Sequence, residues 1–211
     1  MNDSNSRKIK AILFDLDGVL VNMPQGHYEA LNKTLGLFGV QIGEEEHQQV
    51  FNGLPTRRKV EKLEEENRLP IGLKEFINTI KQKNTKEIIP KYCVPDYSKI
   101  ILLRYLKQKG FKLGCCSNSV KETLHLMLKS AQLFDFFDIV IGNDEIGKSK
   151  PDPEIYLTAF KLLHIQPEEC IIVEDAPPGI ASAKASGATV FEVRGTQDVN
   201  LSLFNNFNLF Q

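Results

Sequence analysis

The 211-residue sequence predicts an α/β fold, a doubly wound parallel sheet interrupted after its first strand by an all-helical insertion. Three observations predict it. Short apolar runs recur along the chain with amphipathic helical patterns between them, as buried parallel strands and their crossovers require. The runs end in acidic or small polar residues, where the strands of such a sheet present ligand sites. Residues 22–92 carry helical periodicity only, a stretch far too long for an ordinary strand-to-helix connection. The expected division is therefore a core of residues 1–21 and 93–211 and a helical cap of residues 22–92.

In chain order, the first strand is Ala11-Ile12-Leu13-Phe14, ending at Asp15. Within the cap, Tyr28, Leu31, Leu35 and Phe38 share one helix face, and Leu73, Phe76, Ile77 and Ile80 share another. Thr56 is placed to cap a helix carrying Val60 and Leu63. The core resumes with a helix through Ile101, Leu102, Tyr105 and Leu106 that stops at Gly110. The second strand, residues 111–116, ends at Ser117, and a helix through Val120, Leu124, Met127 and Leu128 follows. The third strand spans residues 137–141. After Pro151 and Pro153 a helix uses Ile155, Tyr156, Ala159, Phe160 and Leu163. The fourth strand, residues 170–173, ends in Glu174-Asp175; a helix then runs from Pro177-Pro178 to Gly187, and residues 189–193 form the fifth strand. The tail from Leu201 carries no readable pattern.

Composition excludes several classes. With 26 Lys and Arg against 27 Asp and Glu, there is no electrostatic footprint for nucleic acid or a membrane surface. Of the four cysteines, Cys93 and Cys170 stand alone and Cys115 and Cys116 are adjacent, so neither a disulfide framework nor a C-x-x-C site is present. The polar N-terminus and the acids at positions 15 and 17 break any leader or spanning pattern. A monomeric cytoplasmic protein is expected.

The strand ends gather Asp15 and Asp17, Ser117 and Asn118, Lys150, and Glu174 and Asp175 at one edge. Taken singly, each has a plain explanation: a turn at Asp17-Gly18, a helix cap at Ser117-Asn118-Ser119, a solvated loop lysine, helix-initiating acids. Taken together and in order, they describe chemistry. Clustered carboxylates repel unless a cation intervenes, and an all-oxygen donor set suits Mg²⁺. A hydroxyl, backbone N–H groups and a lysine suit the oxygens of a phosphoryl group.

At this point a resemblance can be stated. The segment Phe14-Asp15-Leu16-Asp17-Gly18-Val19-Leu20 resembles the first motif of the haloacid dehalogenase superfamily of phosphotransferases. Cys116-Ser117-Asn118-Ser119 resembles the second, Gly147-Lys148-Ser149-Lys150-Pro151 the third, and Val173-Glu174-Asp175-Ala176-Pro177 the fourth. The insertion resembles the cap of the subgroup containing β-phosphoglucomutase and phosphoglycolate phosphatase. The resemblance implies a Rossmann-like core, with Asp15 as nucleophile forming an aspartyl-phosphate and Asp17 as general acid and base. It implies Mg²⁺ held by Asp15, the backbone carbonyl of Asp17 and Asp175, with Glu174 helping directly or through water. Ser117 and Asn118 would bind phosphoryl oxygens and Lys150 would neutralise charge. In the cap, Gly53-Leu54-Pro55-Thr56-Arg57 is similar to the family's substrate loop and Gln82-Lys83-Asn84 to a sugar-contacting segment, which nominates Arg57 and Lys83 as substrate contacts.

Departures are visible too. Asn22 and Met23 stand where the family usually has an acid and a small hydroxyl residue, and Asp96 where glycine is common. His27 falls at a position often histidine in the subgroup, with a helix-packing role as the equal alternative; His47, His125 and His164 are read as structural or surface. The leading expectation is an Mg²⁺-dependent phosphatase of a small phosphorylated metabolite, a sugar phosphate by preference. The alternative is a phosphomutase of the β-phosphoglucomutase type. A metal-free dehalogenase would not need Asp17. A receiver-type signalling module would carry its acid pair before the phospho-accepting strand and would have no cap.

Overall fold

The structure, a computed structural model, describes residues 9–205. Five parallel strands form one sheet in the order β3-β2-β1-β4-β5: β1 (Ala11–Phe14), β2 (Lys112–Cys116), β3 (Ile139–Ile141), β4 (Cys170–Glu174) and β5 (Thr189–Glu192). β1 lies at the centre, wholly buried, paired with β2 on one side and β4 on the other. The chain steps outward from β1 to β3, then returns across β1 to β4 and β5. This reversal opens a crevice at the carboxyl ends of β1 and β4, where open α/β sheets take their ligands.

Alternation along the strands builds two cores. Ile12 and Phe14 of β1, with Ile171 and Val173 of β4, face one layer, made chiefly by Leu102, Leu103 and Leu106 of α5 (Tyr97–Gln108) and Leu124, Met127 and Leu128 of α6 (Lys121–Ser130). Ala11 and Leu13, with Cys170 and Ile172, face the other, formed by Ile155, Tyr156, Ala159, Phe160 and Leu163 of α7 (Glu154–Leu163) and Ala183 of α8 (Pro177–Ala185). That change of face at every residue is the two-residue period of a strand covered on both sides.

The helices of the insertion are α1 (Pro24–Leu35), α2 (Glu44–Glu46), a π-helical turn (His47–Phe51), α3 (Thr56–Glu65) and α4 (Lys74–Tyr92). They enclose a hydrophobic cluster of their own: Leu31, Leu35, Ile42, Phe51, Val60, Leu63, Leu69 and Ile77. The last turn of α4 and its C-cap return to the sheet, where Ile89 and Cys93 join Met23 in the larger core. Among the described residues no helix is long and apolar enough to cross a membrane.

Several sequence expectations need correction. Pro55, not Thr56, precedes α3, and the Thr56 side chain makes no cap; it is drawn instead into the cleft wall described below. Ile101 and Phe76 are exposed rather than core residues. β3 begins at Ile139, two residues later than expected, because the Asp138 carboxylate accepts from the Leu113 backbone N–H and from Lys107 and so ends the run. The tail contributes α9 (Leu201–Asn205), whose Phe204 is fully buried and packs edge-on against Phe14 at 6.3 Å. The tail sequence mixes phenylalanines with asparagines and does not single out Phe204 for that contact. Asp96, where glycine was the family expectation, caps α5 through a 2.8 Å bond from the Ser98 N–H.

His47 proves to be a buried residue of the cap, its ring edge-on to Tyr28 at 5.3 Å. Burial, reinforced by the nearby Lys59 charge, lowers its pKa from 6.5 to about 3. The unfolded imidazole takes up its proton near 6.5, so between about 6.5 and 3 the unfolded chain binds more protons and folding weakens as pH falls. Stability should drop by about 2 kcal/mol between pH 7 and pH 5 on this account. Denaturant unfolding at fixed ionic strength measures it, and His47→Gln should flatten that slope.

Candidate active site

The carboxyl ends of three strands meet at one ammonium. Lys150 Nζ donates to Asp15 Oδ1 at 2.7 Å, to Glu174 Oε1 at 2.6 Å and to the Cys116 carbonyl at 2.8 Å, and the side chain is almost wholly buried. Three donors find three acceptors, from the ends of β1, β2 and β4. Burial alone would strip the proton from this lysine, but the Asp15 and Glu174 carboxylates outweigh it and raise its pKa. Tyr156 adds its hydroxyl proton to Glu174 Oε1 and lays its ring 5.1 Å below the ammonium. Burial, opposed by Lys150 but aided by the neighbouring carboxylates, pushes the Asp15 pKa well up.

Asn118 fastens the loop that carries Lys150. Its Oδ1 accepts from the Lys150 backbone N–H at 3.1 Å, and its Nδ2 donates to the Gly53 carbonyl of the cap at 2.9 Å. Ser117 is buried, and its Oγ accepts from the Ser119 N–H at 3.1 Å, which leaves its own O–H to donate. Both therefore stand at the cleft, Ser117 with a donor and Asn118 chiefly as a tie.

Asp17 is set apart from Asp15 by a tight loop in which the Val19, Leu20 and Val21 N–H groups converge on the Leu16 carbonyl. Its Oδ1 lies 3.0 Å from His27 Nε2, and Ser119 Oγ donates to its Oδ2 at 3.4 Å. The other ring nitrogen, His27 Nδ1, lies 3.1 Å from Lys81 Nζ. An ammonium can only donate, so Nδ1 accepts and Nε2 carries the proton that it offers to Asp17. Burial works to raise the Asp17 pKa, but His27 and Lys81 outweigh it and hold the carboxylate below its usual range. Burial, with the Lys81 charge, lowers that of His27.

A divalent cation fits beside this pair. Carboxylate oxygens of Asp15, Glu174 and Asp175 lie within 4.8 Å of one another. Asp175 Oδ1 is buried with no hydrogen-bond partner, an orphaned anionic donor of the kind a metal satisfies. Burial, with Glu174 and Asp17 adding repulsion, raises the Asp175 pKa to about 7, as expected of an acid whose counter-ion is still to come. Hard oxygen donors of this sort suit Mg²⁺. The Asp17 carboxylate is engaged by His27 and stands outside the cluster. Two glycines make the geometry possible. Gly18 has φ +90° and a Cβ there would sit 2.0 Å from Asp175 Oδ2; at Gly179 a Cβ would sit 2.2 Å from the Glu174 carboxylate.

Above these groups lies a cleft of about 340 Å³, with the core as floor and residues 52–59, Asn78, Lys81 and Gln82 of the insertion among its walls. Of the two expected cap contacts, Arg57 lines the cleft but is exposed and donates to Glu75 at 3.1 Å. Lys83 does not reach it. On α4 the residues facing the cleft are Asn78, Lys81 and Gln82, spaced three and four apart, whereas Lys83 points to solvent. Sequence reasoning missed Lys59 and Lys81, both 5% exposed, and left His27 undecided. A signal existed, because Lys59 lies four residues before Leu63 and Lys81 four after Ile77, placing lysines on apolar helix faces. Met23 is fully buried against Cys93 and Asn22 is exposed; neither hinge residue lines the cleft.

Comparison with known proteins agrees with this geometry. The model of the family described as haloacid dehalogenase-like hydrolase matches residues 12–193. A Saccharomyces cerevisiae protein named as a probable pseudouridine-5'-phosphatase is 34% identical over 206 residues, covering 88% of this chain and 82% of that one. Phosphoglycolate phosphatase of Aquifex aeolicus is 31% identical over 179 residues, 85% of this chain and 82% of its own. Among solved structures, β-phosphoglucomutase of Clostridium difficile superposes with a TM-score of 0.80 at 23% identity, over 95% of this chain and 99% of that one, a likeness of fold.

The glycine beside the acids is directly testable. Gly18→Ala places a side chain at φ +90° and into the Asp175 carboxylate, and should cost about 1–3 kcal/mol of stability. It should also abolish any stabilisation by added Mg²⁺. Melting curves with and without Mg²⁺ report both effects.

Proposed function

The chain belongs to the haloacid dehalogenase-like hydrolases, enzymes of phosphoryl transfer, and we propose that it is an Mg²⁺-dependent phosphatase of a small phosphorylated metabolite. The observation that carries this reading is the setting of Asp15: Lys150 holds it through Oδ1 alone, leaving the other oxygen for attack beside the Ser117 hydroxyl. Relatives at 34% and 31% identity named as phosphatases support hydrolysis, and a cleft of about 340 Å³ supports a small ester.

In the proposed sequence the free Asp15 oxygen attacks phosphorus, the ester P–O bond breaks, and the departing oxygen takes a proton from Asp17. Water then attacks the aspartyl-phosphate, Asp17 receives the water's proton, and phosphate leaves with the Asp15 carboxylate restored. Asp17 is ionised in the resting site because His27 and Lys81 stabilise its charge. The arriving phosphoryl oxygens bring negative charge beside it and raise its proton affinity, so that it takes up a proton from solvent as the substrate binds and can give it to the departing oxygen. Lys150 fixes Asp15 and offsets charge, and Ser117 donates to a phosphoryl oxygen. Bound by Asp15, Asp175 and the Asp17 carbonyl with Glu174 beside them, Mg²⁺ would supply charge compensation for the transferring group.

Two outcomes test the reading. Asp15→Asn should reduce phosphate release from a panel of phosphorylated metabolites to less than a few per cent while leaving the melting temperature near that of the wild type. Phosphate release should require Mg²⁺, and Asp175→Ala should raise the Mg²⁺ concentration needed, with partial recovery at high Mg²⁺. Equal release in excess chelator contradicts the metal assignment. Isomer formation without phosphate release from hexose 1-phosphates would mark a mutase instead.

A further inference from the structure

Two buried cations in the cleft wall form no ion pair among the described residues, and the one carboxylate that acts on both through space is Asp17. Lys59 of α3 and Lys81 of α4 line the cleft, each only 5% exposed. Their hydrogen-bond partners are histidine rings: Lys59 Nζ lies 3.5 Å from His47 Nε2, and Lys81 Nζ lies 3.1 Å from His27 Nδ1. Among the described residues neither forms an ion pair, whereas Lys150 on the opposite floor holds two carboxylates and Arg57 at the rim has Glu75. The two ammoniums are near enough to repel each other. Burial first, with that repulsion, lowers the Lys59 pKa to about 7; burial lowers that of Lys81 to about 8. Two buried ammoniums facing a single carboxylate leave an excess of positive charge that is costly to bury. An ammonium has three donors, and one imidazole nitrogen uses one of them.

We propose that Lys59 and Lys81 form an oxyanion subsite in the cap, so that the substrate carries a second anionic group, a carboxylate or a further phosphate, besides the phosphoryl group on Asp15. The inference rests on the phosphatase reading and narrows it to doubly anionic esters. Such a ligand satisfies the cations only when the insertion and the core enclose it together, so recognition at the second anion and exclusion of water from the first become one event. Lys59 is the residue to test, because Lys81 also acts on Asp17 through His27.

The experiment compares three esters of one carbon skeleton: glycerol 3-phosphate, 3-phosphoglycerate and glycerol 1,3-bisphosphate. Phosphate release gives kcat/KM, and calorimetry on the Asp15→Asn protein gives affinity without turnover. Wild-type kcat/KM should favour one of the doubly anionic esters by at least ~tenfold, and which one distinguishes carboxylate from phosphate. Lys59→Gln should lower that preference by about tenfold through KM and the calorimetric affinity, and Lys59→Arg should retain most of it. Equal treatment of all three esters by the wild type overturns the proposal without any variant. So does a Lys59→Gln loss that is the same for all three, since that assigns the lysine to the common phosphoryl group. Absence of phosphate release from every ester counts against the phosphatase reading instead, and the calorimetric preference then still decides the subsite.

Discussion

A single buried ammonium organises the centre of this protein. Lys150 joins the ends of β1, β2 and β4 through Asp15, the Cys116 carbonyl and Glu174. Its cost of burial is offset by two carboxylates, and theirs by it; removing the lysine would strand both acids in a site that water does not reach freely. The same arrangement decides chemistry. Asp15 is held at one oxygen and free at the other, and Glu174 is turned toward lysine and tyrosine. Asp175, the acid that Lys150 does not touch, keeps an unpartnered oxygen for a cation.

Two neighbouring acids thus acquire opposite characters from their surroundings. Burial, with the neighbouring carboxylates, raises the proton affinity of Asp15 against the pull of Lys150, while His27 and Lys81 outweigh burial at Asp17 and its proton affinity falls. They lie two residues apart in sequence, and the loop after Leu16 turns them to different neighbours. The insertion supplies the surroundings that keep Asp17 ionised, since His27 stands on α1 and Lys81 on α4.

Much of the core was legible because strand and site obey strong local rules. Each strand had to be apolar on both faces, so Asp15, Ser117 and Glu174 fall at the strand ends where periodicity placed them, with Lys150 in the loop region that follows β3. The helical insertion was legible as helices but not as a wall. Whether Lys81 or Lys83 meets the cleft depends on helix rotation, fixed by Leu31, Ile77 and their neighbours in a cluster assembled from distant segments. Lysines on an apolar helix face were the available clue, and it was outweighed by similarity to a known sugar-contacting segment. Phe204 was unreadable for a related reason, since its partners Phe14 and Phe191 are remote in sequence.

The amide of Asn118 works as a fastener with separate ends. Its oxygen belongs to the Lys150 loop, while its nitrogen donates to the Gly53 carbonyl of the insertion at 2.9 Å and, at 3.5 Å, to the Lys150 carbonyl. When the Gly53 loop lifts, that clasp releases one hydrogen bond, worth about 1 kcal/mol net, and the oxygen keeps its grip on the Lys150 backbone. Asn118 keeps its ties to the Lys150 backbone even without the Gly53 contact, so the fixing of the buried ammonium does not depend on the insertion at this residue.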